Sequence, residues 1–187
     1  MTDLITDWAM QVAEAELSTA LPRRWRHTLG VAERATEVGR LLGRGTDLLI
    51  AAAALHDVGY APRLAVTGFH PLDGARFLRD EHEADVPLVR LVANHSLALL
   101  EAEERGLHDE LASEFPLPDD ALLVDALVYS DMTTTPDGGR TTAQERVAEI
   151  IGRYGAESVV GRFIRRAAPE IFSSVGKIEA ALAAQPR

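Results

Sequence analysis

Leu48-Leu49-Ile50-Ala51-Ala52-Ala53-Ala54-Leu55 runs without a polar residue straight into His56-Asp57-Val58-Gly59. Leu, Ile and Ala favour helix, and Asp47 stands where a side chain can accept hydrogen bonds from the free N–H groups of a first turn. The run is too short to cross a bilayer, so it reads as a buried core helix. Gly59 and then Pro62 are expected to stop it, leaving an imidazole and a carboxylate side by side at its end. A lone His-Asp pair is ordinarily a buried hydrogen-bonded couple. This pair is different because His27 precedes it on another helical pattern, His70 and His95 follow, and Asp131 ends a late apolar run.

Working outward, helical patterning continues in both directions. Residues 7–18 form a first amphipathic stretch with Trp8, Val12 and Leu17 as core contacts. Pro22 opens a stronger helix to about Leu42, anchored by Trp25, Leu29, Ala32, Ala35 and Val38. The stretch from Gly59 to Phe69 is long for a connection between helices, and such loops are often functional. His70-Pro71 starts a helix to about Arg79, Pro87 one that reaches His95, and Leu97–Arg105 another. Gly106–Pro118 reads as a polar excursion. Asp119-Asp120 places negative charge at the start of an apolar helix, Ala121–Asp131, a favourable match to the helix dipole. After the turn Pro136-Asp137-Gly138-Gly139, two helices are expected over Ala143–Tyr154 and Ala156–Leu182, with a break near Pro169. Strand-like alternation is absent, and 187 residues suit one domain. The expected fold is an all-α, single-domain helical bundle over residues 1–187.

Composition narrows the chemistry. The formal net charge of -10 argues against binding a nucleic-acid polymer or an anionic membrane, although a local basic cluster can still hold a small phosphorylated molecule. Lys177 is the only lysine, which disfavours Schiff-base chemistry, and the absence of cysteine removes thiolate catalysis and sulfur-bound metals. The acidic start lacks the pattern of an export signal, so a cytoplasmic location is expected. Oligomeric state is not legible. Imidazoles and carboxylates without sulfur suit Mn, Fe, Co, Ni or Zn. Spacing alone does not show that the segments carrying them converge.

The ordered set resembles the HD-domain metal-dependent phosphohydrolases. That signature is carried by His27 in Trp25-Arg26-His27-Thr28, His56-Asp57, and Asp131 in Tyr129-Ser130-Asp131. His70 in His70-Pro71-Leu72-Asp73-Gly74 and His95 in Asn94-His95-Ser96 match the two added histidines of dinuclear members. The resemblance spans about residues 20–155 and includes Arg146 and Arg153-Tyr154-Gly155. It implies an HD-like core and two divalent transition metals held by His27, His56, Asp57, His70, His95 and Asp131, with Asp57 and His56 central to catalysis. It further implies a metal-activated water attacking a small phosphate ester or nucleotide. Arg24, Arg26 and Arg63 are the candidates for clamping the phosphate. Many resembling proteins carry Lys where this chain has Tyr60, and His95 lacks the Gly-Tyr-Pro motif of cyclic-dinucleotide phosphodiesterases. Two other readings remain compatible with the residues. Some HD-fold proteins use a four-His, two-Asp set to hold two irons for oxygenase chemistry, and a helical module can keep such a site for ligand binding alone.

Overall fold

The computed structural model describes residues 3–185, and among them the chain is all-α, with ten α-helices, short 3-10 turns and no strand. In chain order these are α1 (Asp3–Leu17), α2 (Pro22–Gly39), α3 (Thr46–Leu55), α4 (His70–Asp80), α5 (Val86–Asn94), α6 (Ala98–Arg105), α7 (His108–Glu114), α8 (Ala121–Met132), α9 (Ala143–Tyr154) and α10 (Val159–Ala183). No described helix is long and apolar enough to cross a membrane.

The quoted apolar run is the central pillar. Leu49, Ala51, Ala52, Ala53, Ala54 and Leu55 are all fully buried, with α1, α2, α5 and α8 packed around them. Four consecutive alanines keep the pillar thin enough for neighbours to approach from every side. Its N-terminus is not capped by a side chain as the sequence suggested for Asp47. Instead the Thr46 hydroxyl lies 2.7 Å from the Gly39 carbonyl and 2.8 Å from that of Gly43, tying α3 to the end of α2. The helix also stops before Gly59. His56 Nδ1–H donates to the Ala53 carbonyl at 2.7 Å, and Asp57 leaves helical geometry, so the His-Asp pair itself forms the terminus.

Other departures have local causes. On α2 the buried stripe is His27, Thr28, Val31, Ala32, Ala35 and Val38, whereas Leu29 is 41% exposed. Leu29 keeps the three-and-four spacing to Trp25 and Ala32 but lies beyond the edge of the buried face, which runs through His27, Val31 and Ala35. On α1 the core contacts are Ala9, Ala13 and Leu17, with Trp8 and Val12 at the margin. The expected polar excursion contains α7, which one buried residue, Leu111, anchors to the core. Pro169 does not break α10: it lies on the exposed face, where water can satisfy the carbonyl it frees. Asp120 caps α8 by accepting from Leu123 N–H at 3.1 Å, as the charge at that position suggested.

A second apolar cluster joins the far end of α8 to α9 and α10 through Met132, Val147, Phe163, Ala167 and Ile171. Two close backbone approaches fasten the site side of the fold. A Cβ on Gly59 would lie 2.1 Å from the His70 carbonyl and 2.5 Å from Gly74 N, and one on Gly30 would lie 2.4 Å from the Gly138 carbonyl. The first locks the end of α3 to the start of α4; the second locks α2 to the turn after α8. Gly59→Ala is therefore expected to destabilise the protein by about 2 kcal/mol or more, through forced separation of these backbones. Denaturant unfolding checks this, and a midpoint equal to the parent's would refute the close-approach argument.

Candidate metal centre

Four helix ends and one helix face deliver six side chains to one place. α2 presents His27 from its buried stripe, and the end of α3 presents His56 and Asp57. His70 opens α4, His95 follows α5, and Asp131 lies one residue from the end of α8. Two groups have ligand atoms within 4.8 Å of one another: His27, His56 and Asp57, and Asp57, His70 and His95. Asp57 belongs to both. Its Oδ2 is 3.4 Å from His56 Nε2 and 3.9 Å from His27 Nε2, while its Oδ1 is 3.4 Å from His70 Nε2. Asp131 Oδ1 lies 3.1 Å from His27 Nε2 and 4.0 Å from His56 Nε2.

Backbone carbonyls set the orientation of three of the rings. Nδ1 of His27 faces the Thr135 carbonyl at 2.9 Å, that of His56 the Ala53 carbonyl, and that of His95 the Val92 carbonyl at 2.7 Å. A carbonyl only accepts, so each Nδ1 carries a proton, and each ring turns Nε2 inward as the nitrogen free to hold a metal. Those nitrogens meet carboxylate oxygens and one another: His70 and His95 Nε2 are 3.1 Å apart, and His56 Nε2 is fully buried with no hydrogen-bond partner. Acceptors crowded against acceptors in a dry site are costly unless a cation sits among them. The donor set, nitrogen and oxygen without sulfur, fits a divalent transition metal.

Burial keeps the His56 imidazole below its ordinary range, and His70 well below, so both resist protonation. For Asp57, burial pushes the carboxyl up, but the Arg24 guanidinium beside it overcomes this and holds the group well below the usual range. Asp131 is likewise buried yet held below the usual range, with the Arg146 guanidinium favouring its charged form. Ser96 adds a hydroxyl donor 2.5 Å from Asp131 Oδ2. Ser96 and Leu97 both adopt left-handed backbone, at φ 48° and 64°, a strained conformation that turns the chain sharply after His95.

Of the three arginines expected near a phosphate, the structure brings one to the cluster. Arg24 precedes His27 by three residues and shares its helix face. Its Nη1 donates to Asp57 Oδ2 at 2.5 Å, and its guanidinium lies 3.5 Å from the Tyr60 ring centre. Arg26 points outward and pairs with Asp137 at 3.0 Å. Arg63 pairs with Glu16 at 2.6 Å and Glu81 at 3.2 Å and lines a separate surface hollow. Asp73 accepts from Thr67 and Gly68 N–H groups, holding the loop that precedes His70. His82 packs edge-on against Trp8 and Phe77, and His108 pairs with Asp109. Sequence reasoning did not single out Ser96 or Glu101, a buried acid of the cleft wall paired with Arg105 at 2.7 Å. No motif signal marks either one.

The HD-domain family model matches residues 24–132, more than half of the chain and every residue of the cluster. The chain belongs to the HD-domain family. A ribonuclease Y from Rhodopirellula baltica is 29% identical over 143 residues, covering 74% of this chain. The chain spans only 23% of that relative's length. No solved structure matches. HD domains bind divalent metals, and the histidine–carboxylate groups here are of that kind.

The burial of His56 and His70 has a consequence for stability. Both bind a proton near 6.5 when unfolded and resist it when folded. Below that pH the unfolded state binds more protons, so stability is full above it and falls as pH drops through it. Asp57 and Asp131, held low in the fold, contribute stability that is lost only in much stronger acid. Chelator-treated protein is thus expected to melt at progressively lower temperature from about pH 7 to about pH 5, and His70→Asn to flatten that slope. Thermal melts across pH test it; a slope of opposite sign would contradict the buried neutral imidazoles.

Proposed function

We propose that this HD-domain protein is a metal-dependent phosphohydrolase acting on a small phosphate ester or nucleotide. The observation that carries the reading is the division of Asp57 between two histidine groups, which suits one carboxylate bridging two cations. Two divalent metals would be held by His27, His56, Asp57 and Asp131 on one side and by Asp57, His70 and His95 on the other. Metals in such a pair supply Lewis acidity, acidifying water and drawing charge from the phosphoryl oxygens. The chain's own residues do the rest. Carbonyl-bonded Nδ1–H groups keep the lone pairs of His27, His56 and His95 aimed inward. Arg24 holds Asp57 by one oxygen, and Ser96 holds Asp131. Tyr60, stacked on His70 at 3.8 Å between ring centres, covers that ring from water. Asp57 is the group best placed to orient an attacking water.

The match to ribonuclease Y supports a second reading, cleavage of a phosphodiester in RNA. Net charge and the walled cleft favour the small ester: a chain at -10 repels a polyanion unless a basic track receives it. The four-His, two-Asp set also keeps oxygenase chemistry in view. A panel of phosphate esters, nucleotides and single-stranded RNA, run beside substrate-dependent oxygen uptake by iron-loaded protein, separates the three. Release of phosphate from small esters with no oxygen uptake is expected. Turnover of RNA alone would sink the small-ester reading.

Two substitutions follow. Asp57→Ala is expected to lower turnover at least about a hundredfold and to strip bound metal, with the helical circular dichroism retained. Metal content and turnover equal to the parent's would defeat the bridging assignment. His70→Ala and His95→Ala should each lower occupancy from about two metals towards one, read by elemental analysis after metal titration. A fully active parent that saturates at one metal would rule the pair out.

A further inference from the structure

Beside the metal centre, and sharing Arg24 and His27 with it, lies a recess of about 300 Å³. Arg23, Arg24, Arg146 and Arg153 line it, together with small and apolar residues and no carboxylate. In a chain of net charge -10, four arginines around one hollow are a local reversal of sign that focuses anions. Two of them come from α9, more than a hundred residues beyond the first histidine, and reach both the recess and the cleft over the cluster.

Arg146 and Arg153 are held side by side by one acid. Glu149 accepts from Arg146 Nη1 through Oε2 and pairs with Arg153 Nε through Oε1 at 3.2 Å. One carboxylate cannot satisfy two guanidinium forks. Arg146 is 93% buried by its 7% exposure, and its Nε has no partner at all. A buried guanidinium with an unpaired nitrogen is expensive, and it retains donor capacity beyond what Glu149 takes up. Arg146 also lines the cleft over the cluster together with His27, Asp57 and Asp131, so a group bound by it lies next to the metal centre. Arg24 and Arg23 each have a carboxylate partner, Asp57 and Asp137, whereas Arg146 and Arg153 share Glu149, which leaves the α9 pair as the principal donors.

Resting on the phosphohydrolase reading, we infer that the recess binds a second phosphate of the substrate, so that the preferred substrate is a small molecule bearing two phosphoryl groups. One phosphate meets the metal centre, and the other sits between Arg146 and Arg153. The apolar wall of Ile150, Val160 and Phe163 faces the organic part. A mononucleotide or sugar with a single phosphate would fill the metal centre and leave the arginines unmet.

Alkylphosphonates test this without turnover, since their C–P bond does not hydrolyse. Manganese-loaded protein is titrated calorimetrically, under nitrogen, with ethyl-, propyl- and butylphosphonate and with the matching α,ω-bisphosphonates. The expected result is that at least one bisphosphonate binds about tenfold tighter or more than its single-headed partner. Arg153→Gln and Arg146→Lys should each cut that advantage to about threefold or less. Arg153 is the half-exposed member of the pair, so its variant keeps the test alive if the buried Arg146 proves necessary for folding. No advantage at any chain length, or an advantage that survives in Arg153→Gln, overturns the subsite. Hydrolysis of p-nitrophenyl phosphate is read separately. Discrimination without any ester hydrolysis keeps the subsite and removes the hydrolase reading, and hydrolysis without discrimination does the reverse.

Discussion

A carboxylate taken out of water costs several kcal/mol unless charge and hydrogen bonds meet it, and Asp57 is almost fully buried among histidines that offer it lone pairs. Much of the surrounding architecture answers that problem. Arg24 supplies the cation from α2, which fixes where α2 must lie relative to α3. Gly30 and Gly59 allow the backbone approaches that bring α2 to the turn beyond α8 and α3 to α4. The thin alanine pillar permits α1, α2, α5 and α8 to close around it. A cation that bound this folded site and not the unfolded chain would add to stability by mass action.

The helical bundle was readable because apolar periodicity and proline positions are local signals. Pro22, Pro71 and Pro87 mark first turns where the structure has them, and the six side chains named from the resemblance lie close together. What failed were features decided by the third dimension. Leu29 looks like a core anchor in a run of apolar residues, yet α2 is rotated so that its stripe passes through His27 and Val31. Arg24, Arg26 and Arg63 are equivalent in sequence, and only helix phase and the acids nearby separate them. Pro169 reads as a breaker until its exposure is known. Ser96 has no pattern to betray it, because its role comes from a strained turn and an aspartate thirty-five residues on.

The ligand order locates the metal centre, but what accompanies it is set by α9 and α10, which lie beyond the matched family region of residues 24–132. The capping box of Thr142 and Glu145 starts α9 at a fixed point, and Ser158 does the same for α10. These caps set the helical phase at which Arg146 and Arg153, seven residues or two turns apart, emerge on one side. The cleft wall is thus shared: Tyr60, Ser96 and Glu101 line it from within the matched region, and α9 and α10 close it from beyond.

Tyr60 and Arg24 explain one another. The Tyr60 phenol is pushed well above its ordinary range, chiefly by burial, so it stays neutral and acts through its ring. That ring is packed against His70 at 3.8 Å and against the Arg24 guanidinium at 3.5 Å. A lysine at this position, the residue many resembling proteins carry, would set a second cation against Arg24 and strip the guanidinium of its aromatic platform. With Tyr60 in place, one cation from α2 serves Asp57 and the aromatic face holds it there. The cation beside Asp57 thus comes from a different helix, on a planar group that meets the carboxylate with its edge and the Tyr60 ring with its face.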